Sequence, residues 1–409
     1  MSLPTVETAL AAMLAQVAAL PVEAVPVADA NGRWLAEDVV ASRDQPPFDA
    51  SAMDGWAVRE GDVSPGAILT IVGESAAGRG FTGTVGPGQT ARISTGAPLP
   101  AGADRVVIQE EAERRGGQLH LSNGPFSAAA IRRRGGDFAQ GARLLAAGQR
   151  INPWRLALAA STGTATLICG RRPQVAILAT GDELVEPGQP IGPDQIFNSA
   201  APALAAFVAR QGGIATGLIR AADTDAAVVA AVQGASFDIL VTVGGASVGD
   251  HDRVKPALRS LGAVLKVEGV AMRPGRPVWF ATLPRGRLVL GLPGNPASAL
   301  VCAELFLAPI LARLQGGTQV EQIGTAVLAT PLAANGPRDH YMRATSRMDA
   351  DGCLRVTPMP DQDSSLVTVM AAADILVRRP PHAPPAEVGE IVTTLGVTSG
   401  HDRGFRSTD

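Results

Sequence analysis

One glycine-rich stretch of the sequence, DILVTVGGASVGDHD at 238–252, contains several hydroxyl and carboxyl side chains. Its first half is an apolar run that stops at a glycine pair, a pattern typical of a buried strand followed by a tight turn. A helix-like segment follows, and such a turn between a strand and a helix is where open α/β sheets bind phosphates and nucleotides. Taken alone, the stretch is explained equally well as a plain turn with solvated aspartates. Its glycines and polar residues are Gly244, Gly245, Ser247, Gly249, Asp250 and Asp252.

Polar residues also follow three other apolar stretches of the same region. Glu183 comes after 175–179, Asp223 comes after 214–219, and 288–292 is followed by Pro293, Gly294, Asn295 and Pro296. Because the carboxyl ends of parallel strands meet at one edge of a sheet, these loops should converge with the glycine-rich turn. Any one of the acids alone is explained as a cap or a solvated loop residue, but Mg²⁺ binds through several carboxylates together with substrate phosphates. The sequence therefore predicts a magnesium site formed by Glu183, Asp223, Asp250 and Asp252.

The elements that would position these loops alternate between strands and helices beyond Arg172. Helical patterns at 198–211, 225–233 and 296–314 are interspersed with apolar stretches at 238–243, 278–283 and 288–292. Such alternation predicts a doubly wound α/β domain, which we place at 172–316.

Length and composition limit the class of protein. A chain of 409 residues is long enough for several globular domains, each with its own core. The formal net charge of −3 and the absence of any basic run longer than Arg132-Arg133-Arg134 disfavour a nucleic-acid-binding protein. The three cysteines have no ligand-like spacing, so neither a disulfide framework nor a zinc site is indicated. With no basic leader and no apolar run long enough to span a bilayer, we predict a cytoplasmic protein.

The N-terminal part is predicted to hold a helix, a hairpin and an inserted β-rich domain. Apolar residues recur at helical spacing over 5–20, and 21–42 resembles two strands joined at Asn31-Gly32. From 61 to 140 the chain has short strand-like stretches with many glycines and prolines, until a helix begins near Pro153. We place the inserted domain at 46–140, between two parts of an N-terminal helix and linker domain at 1–45 and 141–171.

Three polar positions of the inserted domain could do chemistry. Asp54 lies in a turn-prone tip before a strand, Thr95 precedes a glycine, and Asp137 ends the run RRRGGD. An arginine triplet beside Gly-Gly could hold a phosphate or molybdate-like oxyanion, and a solvated turn explains it equally well. For Asp54 the simpler interpretation is a turn cap.

The α/β alternation stops after Gly316-Gly317, and the remaining pattern of short strands predicts a small C-terminal β-barrel domain at 317–397. The segment 398–409 has no apolar periodicity and is predicted to be a disordered tail. The candidate functional groups of the barrel, which ordinary loop polarity would also explain, are Arg338, Arg343, Asp363, Ser364 and Ser365.

Seven motifs, in this order, resemble the molybdopterin molybdenumtransferases, the family of the MoeA proteins and the gephyrin E-domain. They are SAMDGWAV, STGAPLPAGADRVV, RRRGGD, ATGDEL, GGASVGDHD, MRPGRP and GLPGNPASA, and they span nearly the whole chain. The resemblance implies insertion of molybdate into adenylylated molybdopterin with release of AMP, in molybdenum cofactor biosynthesis. It also implies Mg²⁺ and a homodimer of multidomain subunits with shared active sites.

The same resemblance assigns roles to individual residues. It implies catalytic roles for Asp54, Thr95, Asp137, Glu183, Asp223 and Asp252. It implies a molybdate pocket formed by Arg273, Arg276, Ser298, Arg343 and Ser364, in which the two arginines of MRPGRP stand where many relatives have lysine. It implies binding of the adenylylated pterin by the glycine-rich turn and the Pro293–Pro296 loop.

Two alternatives remain open from the sequence. One is a molybdopterin adenylyltransferase-like nucleotide enzyme built on the same α/β domain, and the other is a non-catalytic carrier or scaffold for the cofactor. The inserted and C-terminal domains argue against the first, and the lack of a long linker or second pterin domain argues against the second. The family also suggests a molybdopterin adenylyltransferase and molybdoenzyme chaperones as partners.

Overall fold

A computed structural model describes residues 3–244, 253–318 and 323–397. The chain folds as two compact units, one formed by Met1–Glu37, Ala147–Asn152 and Leu167–Asp409, the other by Asp38–Ala146 and Pro153–Thr166. Several sequence predictions lie outside the described residues: those for Gly245, Ser247, Gly249, Asp250 and Asp252, and the tail 398–409.

A six-stranded sheet forms the centre of the first unit. Its strands are β1 (Gln174–Thr180), β2 (Ile214–Ala221), β3 (Ile239–Val243), β4 (Val264–Glu268), β5 (Trp279–Thr282) and β6 (Leu288–Leu292), in the order β2-β1-β3-β6-β5-β4. The strands β2, β1, β3 and β6 run parallel, whereas β5 and β4 run antiparallel to their neighbours. The four parallel strands therefore bring their carboxyl ends to one edge of the sheet, as predicted from the apolar runs.

Both faces of this sheet are covered, which confirms the doubly wound α/β fold. Alternate residues of β1 and β3 enter opposite cores: Ile177 and Val241 pack on one side, Leu178 and Leu240 on the other. The covering helices are Ala200–Arg210, Asp225–Gly234, Val254–Ser260 and Pro296–Leu314. The last has the length and apolar composition of a membrane span, with a mean hydropathy of 1.8, but 83% of that window is buried, as in a central core helix.

The N-terminal segment differs from its prediction in two ways. The first helix, Val6–Leu14, is shorter than the predicted 5–20, because the chain turns after Leu14 and the Leu20 N–H donates to the Leu314 carbonyl at 2.7 Å. The prediction of a hairpin at Asn31-Gly32 is wrong. The strand Val22–Pro26 pairs with Thr166–Gly170, and Leu35 bridges Cys169, so long-range partners replace the local pairing that the Asn-Gly turn predicted.

The second unit contains a β-rich domain whose sheet has the strand order Arg105–Ile108, Gly55–Val58, Gln89–Ile93, Ile68–Ser75, Gln118–Leu121 and Ala112–Arg115. Trp56, Leu69 and Leu119 pack together in its core. Two short strand pairs lie beside it, Ala50–Ser51 with Ile131–Arg132 and Val39–Val40 with Arg143–Leu145. The helix Pro153–Ser161 begins at its proline, as predicted.

The C-terminal part of the first unit is a closed β-barrel, as expected from its pattern of short strands. Its strands are Ile323–Leu328, Asp339–Met348, Leu354–Pro358, Ile375–Arg379 and Ile391–Gly396, and the ring closes where Asp339–Met348 pairs with Ile375–Arg379. The sequence did not predict the short helix Val367–Ala372. Met272–Arg273, the first residues of MRPGRP, extend the barrel sheet by pairing with Asp339 and His340.

Candidate functional site

The loops that follow the parallel strands approach one another at the carboxyl edge of the sheet. Gly244 follows β3 with φ 88°, and a Cβ built there would lie 2.8 Å from the Thr180 carbonyl at the end of β1. A Cβ built on Gly294, after β6, would lie 3.7 Å from the Gly244 Cα. Any side chain at position 244 would be strained and crowded, so only glycine fits there, and the backbone at the ends of β1, β3 and β6 forms a narrow glycine cradle.

Glu183 turns back over the loop that carries it. A Cβ built on Gly181 would lie 2.5 Å from Glu183 Oε2 and 2.7 Å from Oε1, so the carboxylate occupies the space that a side chain at 181 would need. Asp223 follows the carboxyl end of β2, the strand next to β1. Among the described residues no three His, Cys, Asp or Glu side chains lie close enough to hold a metal ion. Asp250 and Asp252 lie outside the described residues.

The barrel reaches this edge of the sheet through two connections. Asn295 Nδ2, in the loop after β6, donates to Ser364 Oγ at 2.9 Å, which joins the predicted pterin loop to a predicted molybdate residue. Arg273 is carried to the barrel because its short strand pairs with His340. Ser298 is buried in the first turn of the helix Pro296–Leu314.

Arg343 is the most unusual polar residue of this region. Its side chain is 2% exposed, and Nη2 donates to the Asp363 carbonyl at 3.1 Å. Nε and Nη1 are buried and have no hydrogen-bond partner among the described residues. Burial lowers the pKa of the Arg343 guanidinium, and the positive charge of Arg273 lowers it further. Buried charges are normally paired, so the two unused donors on its buried guanidinium make Arg343 a candidate ligand for an anion.

Sequence reasoning missed His340, which lies beside the same charges. The imidazole is buried, with Nε2 unpartnered among the described residues. Its pKa falls from 6.5 to about 4, first through burial and then through the charges of Arg273, Arg343 and Arg338. The sequence carried only a weak signal for it, the alternation of a barrel strand, because the arginines that surround it come from distant segments.

We expect His340 to make folding stability depend on pH. The unfolded chain binds a proton near pH 6.5 and the folded chain only near pH 4, so the unfolded state holds more protons in between. The full free energy of unfolding is therefore present above pH 6.5. It falls by roughly 3 kcal/mol at most as the pH is lowered to 4. Urea unfolding midpoints at pH 7 and 4.5 measure this loss. His340→Gln should shrink the difference, and an equal difference in that variant would show that other groups cause it.

In the second unit the structure brings Asp54 and Thr95 together. Asp54 Oδ1 accepts hydrogen bonds from the Thr95 N–H at 2.6 Å and the Thr95 hydroxyl at 3.0 Å. These bonds, with a smaller contribution from the charge of Arg92, hold the pKa of the exposed Asp54 carboxyl below its usual value. The arrangement orients an ionised carboxylate at the surface, while its second oxygen can accept bonds from a ligand.

Two arginines of the triplet form ion pairs within their own unit. Arg133 Nη1 pairs with Asp49 at 2.7 Å, and Arg134 Nε pairs with Asp44 at 2.6 Å. Asp137 is held through its backbone N–H, which donates to the Gln45 carbonyl at 2.9 Å. Of the two interpretations that the sequence left open, these ion pairs favour a structural turn over an oxyanion site.

A glycine cradle at the carboxyl edge of four parallel strands, flanked by a barrel that supplies a buried arginine, defines a multidomain α/β protein with a candidate site for anionic ligands. Three family descriptions match consecutive parts of the chain. The MoeA N-terminal region (domain I and II) matches 4–163, a probable molybdopterin binding domain matches 176–313, and the MoeA C-terminal region (domain IV) matches 325–395. The chain belongs to the MoeA family.

Individual relatives are similar in sequence to this protein over most of the chain. The molybdopterin molybdenumtransferases of Haemophilus influenzae and Bacillus subtilis are 33% and 34% identical, over 89% and 91% of this chain and 91% and 89% of their own. The Nostoc protein of that name is 39% identical over 72% of this chain and 70% of its own. A crystal structure of the molybdopterin biosynthesis moeA protein from Pyrococcus horikosii has a TM-score of 0.78 at 29% identity, covering 97% of this chain and 100% of that chain.

Proposed function

We propose that this protein is a transferase of molybdenum cofactor biosynthesis that inserts molybdate into adenylylated molybdopterin and releases AMP. The observation that carries the proposal is Arg343, a buried guanidinium with two unused donors in a chain of the MoeA family. The Haemophilus influenzae and Bacillus subtilis relatives, which match most of both chains, are named molybdopterin molybdenumtransferase.

The molybdate pocket of this proposal comprises Arg273, Arg276, Ser298, Arg343 and Ser364. Molybdate is a tetrahedral dianion, and guanidinium groups offer paired donors that suit such oxyanions. Arg273 supports the assignment, since its charge adds positive potential in this region and thereby lowers the pKa of both Arg343 and His340. A bound oxyanion would satisfy the unused Arg343 donors and offset this repulsion.

The adenylylated pterin would bind at the glycine cradle through Gly244, Gly245, Ser247, Gly249 and the Pro293–Pro296 loop. The close approach of Gly244 to Thr180 supports this, because a backbone without side chains lets phosphate groups lie against N–H donors. The hydrogen bond from Asn295 to Ser364 would then hold the pterin loop beside the molybdate pocket. Both substrates are anions, so the arginines must offset their mutual repulsion before reaction.

Magnesium belongs to the proposal, with Glu183, Asp223, Asp250 and Asp252 as its ligands. The two described members, Glu183 and Asp223, carry the hard oxygen donors that Mg²⁺ prefers, and both follow parallel strands at the same edge. When bound, Mg²⁺ would neutralise negative charge on the phosphoanhydride. The remaining catalytic roles would fall to Asp54 and Thr95, whose hydrogen bonds keep the carboxylate ionised and oriented, and to Asp137.

The test is AMP release from adenylylated molybdopterin, measured with and without molybdate and with and without Mg²⁺. We expect release only when both are present. Release of AMP without molybdate would instead favour a nucleotide-hydrolysing enzyme, and no release by well-folded protein would favour the carrier.

We further propose a cytoplasmic homodimer whose active sites are shared between subunits, so that Asp54 of one subunit serves the glycine-rich turn of its partner. Mixing Asp54→Ala subunits with subunits carrying Asp250→Ala and Asp252→Ala should restore about a quarter to a half of the activity after exchange, because mixed dimers regain one intact site. Subunit exchange is verified with two affinity tags. Exchange without recovery of AMP release would place all three acids in one subunit's site.

The finished cofactor must then reach another protein, and the substrate must come from one that attaches AMP to molybdopterin. We therefore include a molybdopterin adenylyltransferase and molybdoenzyme chaperones as partners in the proposal.

A further inference from the structure

The backbone beside Asp54 is held tightly within the β-rich sheet of the second unit. Asp54 directly precedes the strand Gly55–Val58, which is an inner strand of that sheet. The Asp54 carbonyl accepts a hydrogen bond from the Gln109 N–H at 3.1 Å. A Cβ built on Gly55 would lie 2.1 Å from the Val107 carbonyl oxygen, so the two strands approach as closely as only glycine allows. The chain on either side of this contact therefore has little freedom to move.

One arginine side chain, Arg92, contacts this backbone from the neighbouring strand. Its Nη1 donates to the Gly55 carbonyl at 3.0 Å, and its Nη2 donates to Gln109 Oε1 at 3.1 Å. The guanidinium lies over the ring of Trp56, 5.3 Å from its centroid, and Trp56 packs in the core of the sheet. Because a guanidinium is a rigid fork, Arg92 can make both bonds at once. It thereby joins the residue after Asp54 to the residue that holds the Asp54 carbonyl.

The strand that carries Arg92 also leads to the donors that orient the Asp54 carboxylate. Thr95 lies three residues after Arg92, and its N–H and hydroxyl both donate to Asp54 Oδ1. The two bonds from Thr95, followed by the charge of Arg92, lower the pKa of the Asp54 carboxyl. Arg92 therefore acts on Asp54 in two ways: it fixes the adjoining backbone, and its charge favours the ionised carboxylate.

We propose that Arg92 is a positioning residue for the reaction: by clamping the backbone around Asp54, it holds this carboxylate and its Thr95 donors in the geometry that meets the substrate. The inference rests on the proposed function, in which Asp54 is a catalytic residue. Arg92 itself touches no substrate and acts through Asp54. Its loss should therefore slow turnover more than it weakens substrate binding, because a small displacement of a catalytic group lowers the rate strongly.

The amide resonance of Thr95 reports the position of the Asp54 carboxylate without any substrate. In the full chain with isotope-labelled threonine, Thr95→Ser identifies the resonance by its loss, and Asp54→Asn gives its chemical shift when the acceptor has no charge. We expect Arg92→Met to move the resonance toward the Asp54→Asn value. Arg92→Lys should move it less, because lysine keeps the charge and one donor. Arg115→Met, which removes an arginine from the far edge of the same sheet, should leave the resonance unmoved.

The rate of AMP release gives the second measurement. Arg92→Met should lower kcat by about ten- to hundredfold and leave KM for adenylylated molybdopterin within about twofold, and Arg92→Lys should recover part of the rate. Arg115→Met should change neither constant. Gln109→Met replaces Arg92→Met if that variant does not fold, since it removes one bond of the clamp and keeps the contact with Trp56.

The two measurements separate this inference from the proposed function. A Thr95 resonance that Arg92→Met leaves unmoved, or a raised KM at an unchanged kcat, would overturn the positioning role of Arg92. Absence of AMP release by the well-folded unsubstituted protein would overturn the proposed function instead, because the resonance is measured without substrate.

Discussion

Arg343→Met should abolish efficient use of molybdate without weakening the fold. The molybdate concentration for half-maximal AMP release should rise about ten- to hundredfold or more, since a charge-assisted hydrogen-bond pair contributes roughly 1.5–3 kcal/mol. The free energy of unfolding should be unchanged or higher by up to about 2 kcal/mol, because methionine removes a buried charge whose only described side-chain bond is to the Asp363 carbonyl.

Two measurements together check this prediction: the molybdate dependence of AMP release, and urea unfolding curves. Arg347→Met is the matched control, since Arg347 is exposed on the same barrel strand and should change neither quantity. Arg343→Lys should recover part of the molybdate affinity, because it restores the charge without the paired donors. If Arg343→Met instead loses several kcal/mol of stability at normal molybdate dependence, then Arg343 serves the barrel and the oxyanion pocket lies elsewhere.

Glu183→Gln should lower AMP release by about a hundredfold or more, because the change removes a full charge from the proposed magnesium site while it keeps the size of the side chain. The fold should not change, since the carboxylate lies over Gly181 in a loop after β1 and packs in no core. Initial rates at increasing Mg²⁺ concentration measure the effect, and part of the loss should be recovered at high Mg²⁺.

Glu186→Gln is the control for this charge removal. Glu186 follows the short strand Leu184–Val185 that comes after Glu183, and it accepts a hydrogen bond from Asn198 at 3.0 Å, which a glutamine oxygen can also accept. The Glu186→Gln variant should keep a near-normal rate of AMP release. If the Glu183→Gln variant released AMP within a few-fold of the rate of the unsubstituted protein at every Mg²⁺ concentration, Glu183 would not be a metal ligand.

The environments of the arginines explain why we expect substitutions of different arginines to have effects of different size. Arg133 and Arg134 pair with aspartates at the surface, where an exposed ion pair contributes little and water can satisfy the remaining donors. Arg343 is buried and incompletely paired, so its charge is costly until an anion arrives. The same residue type therefore stabilises a turn in one unit and, in our proposal, binds substrate in the other.

The sequence by itself determined the family and most of the α/β domain. The apolar runs that became β1, β3 and β6 are buried on both faces, so each was a short uninterrupted stretch ending in polar or glycine-rich residues. The barrel followed from a pattern of short strands, and ordered motifs over nearly the whole chain matched the family. These features are local, and local patterns are what a sequence displays directly.

Only the tertiary structure decided which partners each segment takes. The Asn31-Gly32 turn resembled a hairpin, yet Val22–Pro26 pairs with a strand about 140 residues later, because packing in the unit outweighs a local turn preference. Arg273 and His340 became neighbours through a pairing of distant strands, and that pairing raised the positive potential around Arg343. The burial of Arg343 and its two unused donors depend on how distant segments of the chain pack together, which no spacing within the sequence encodes.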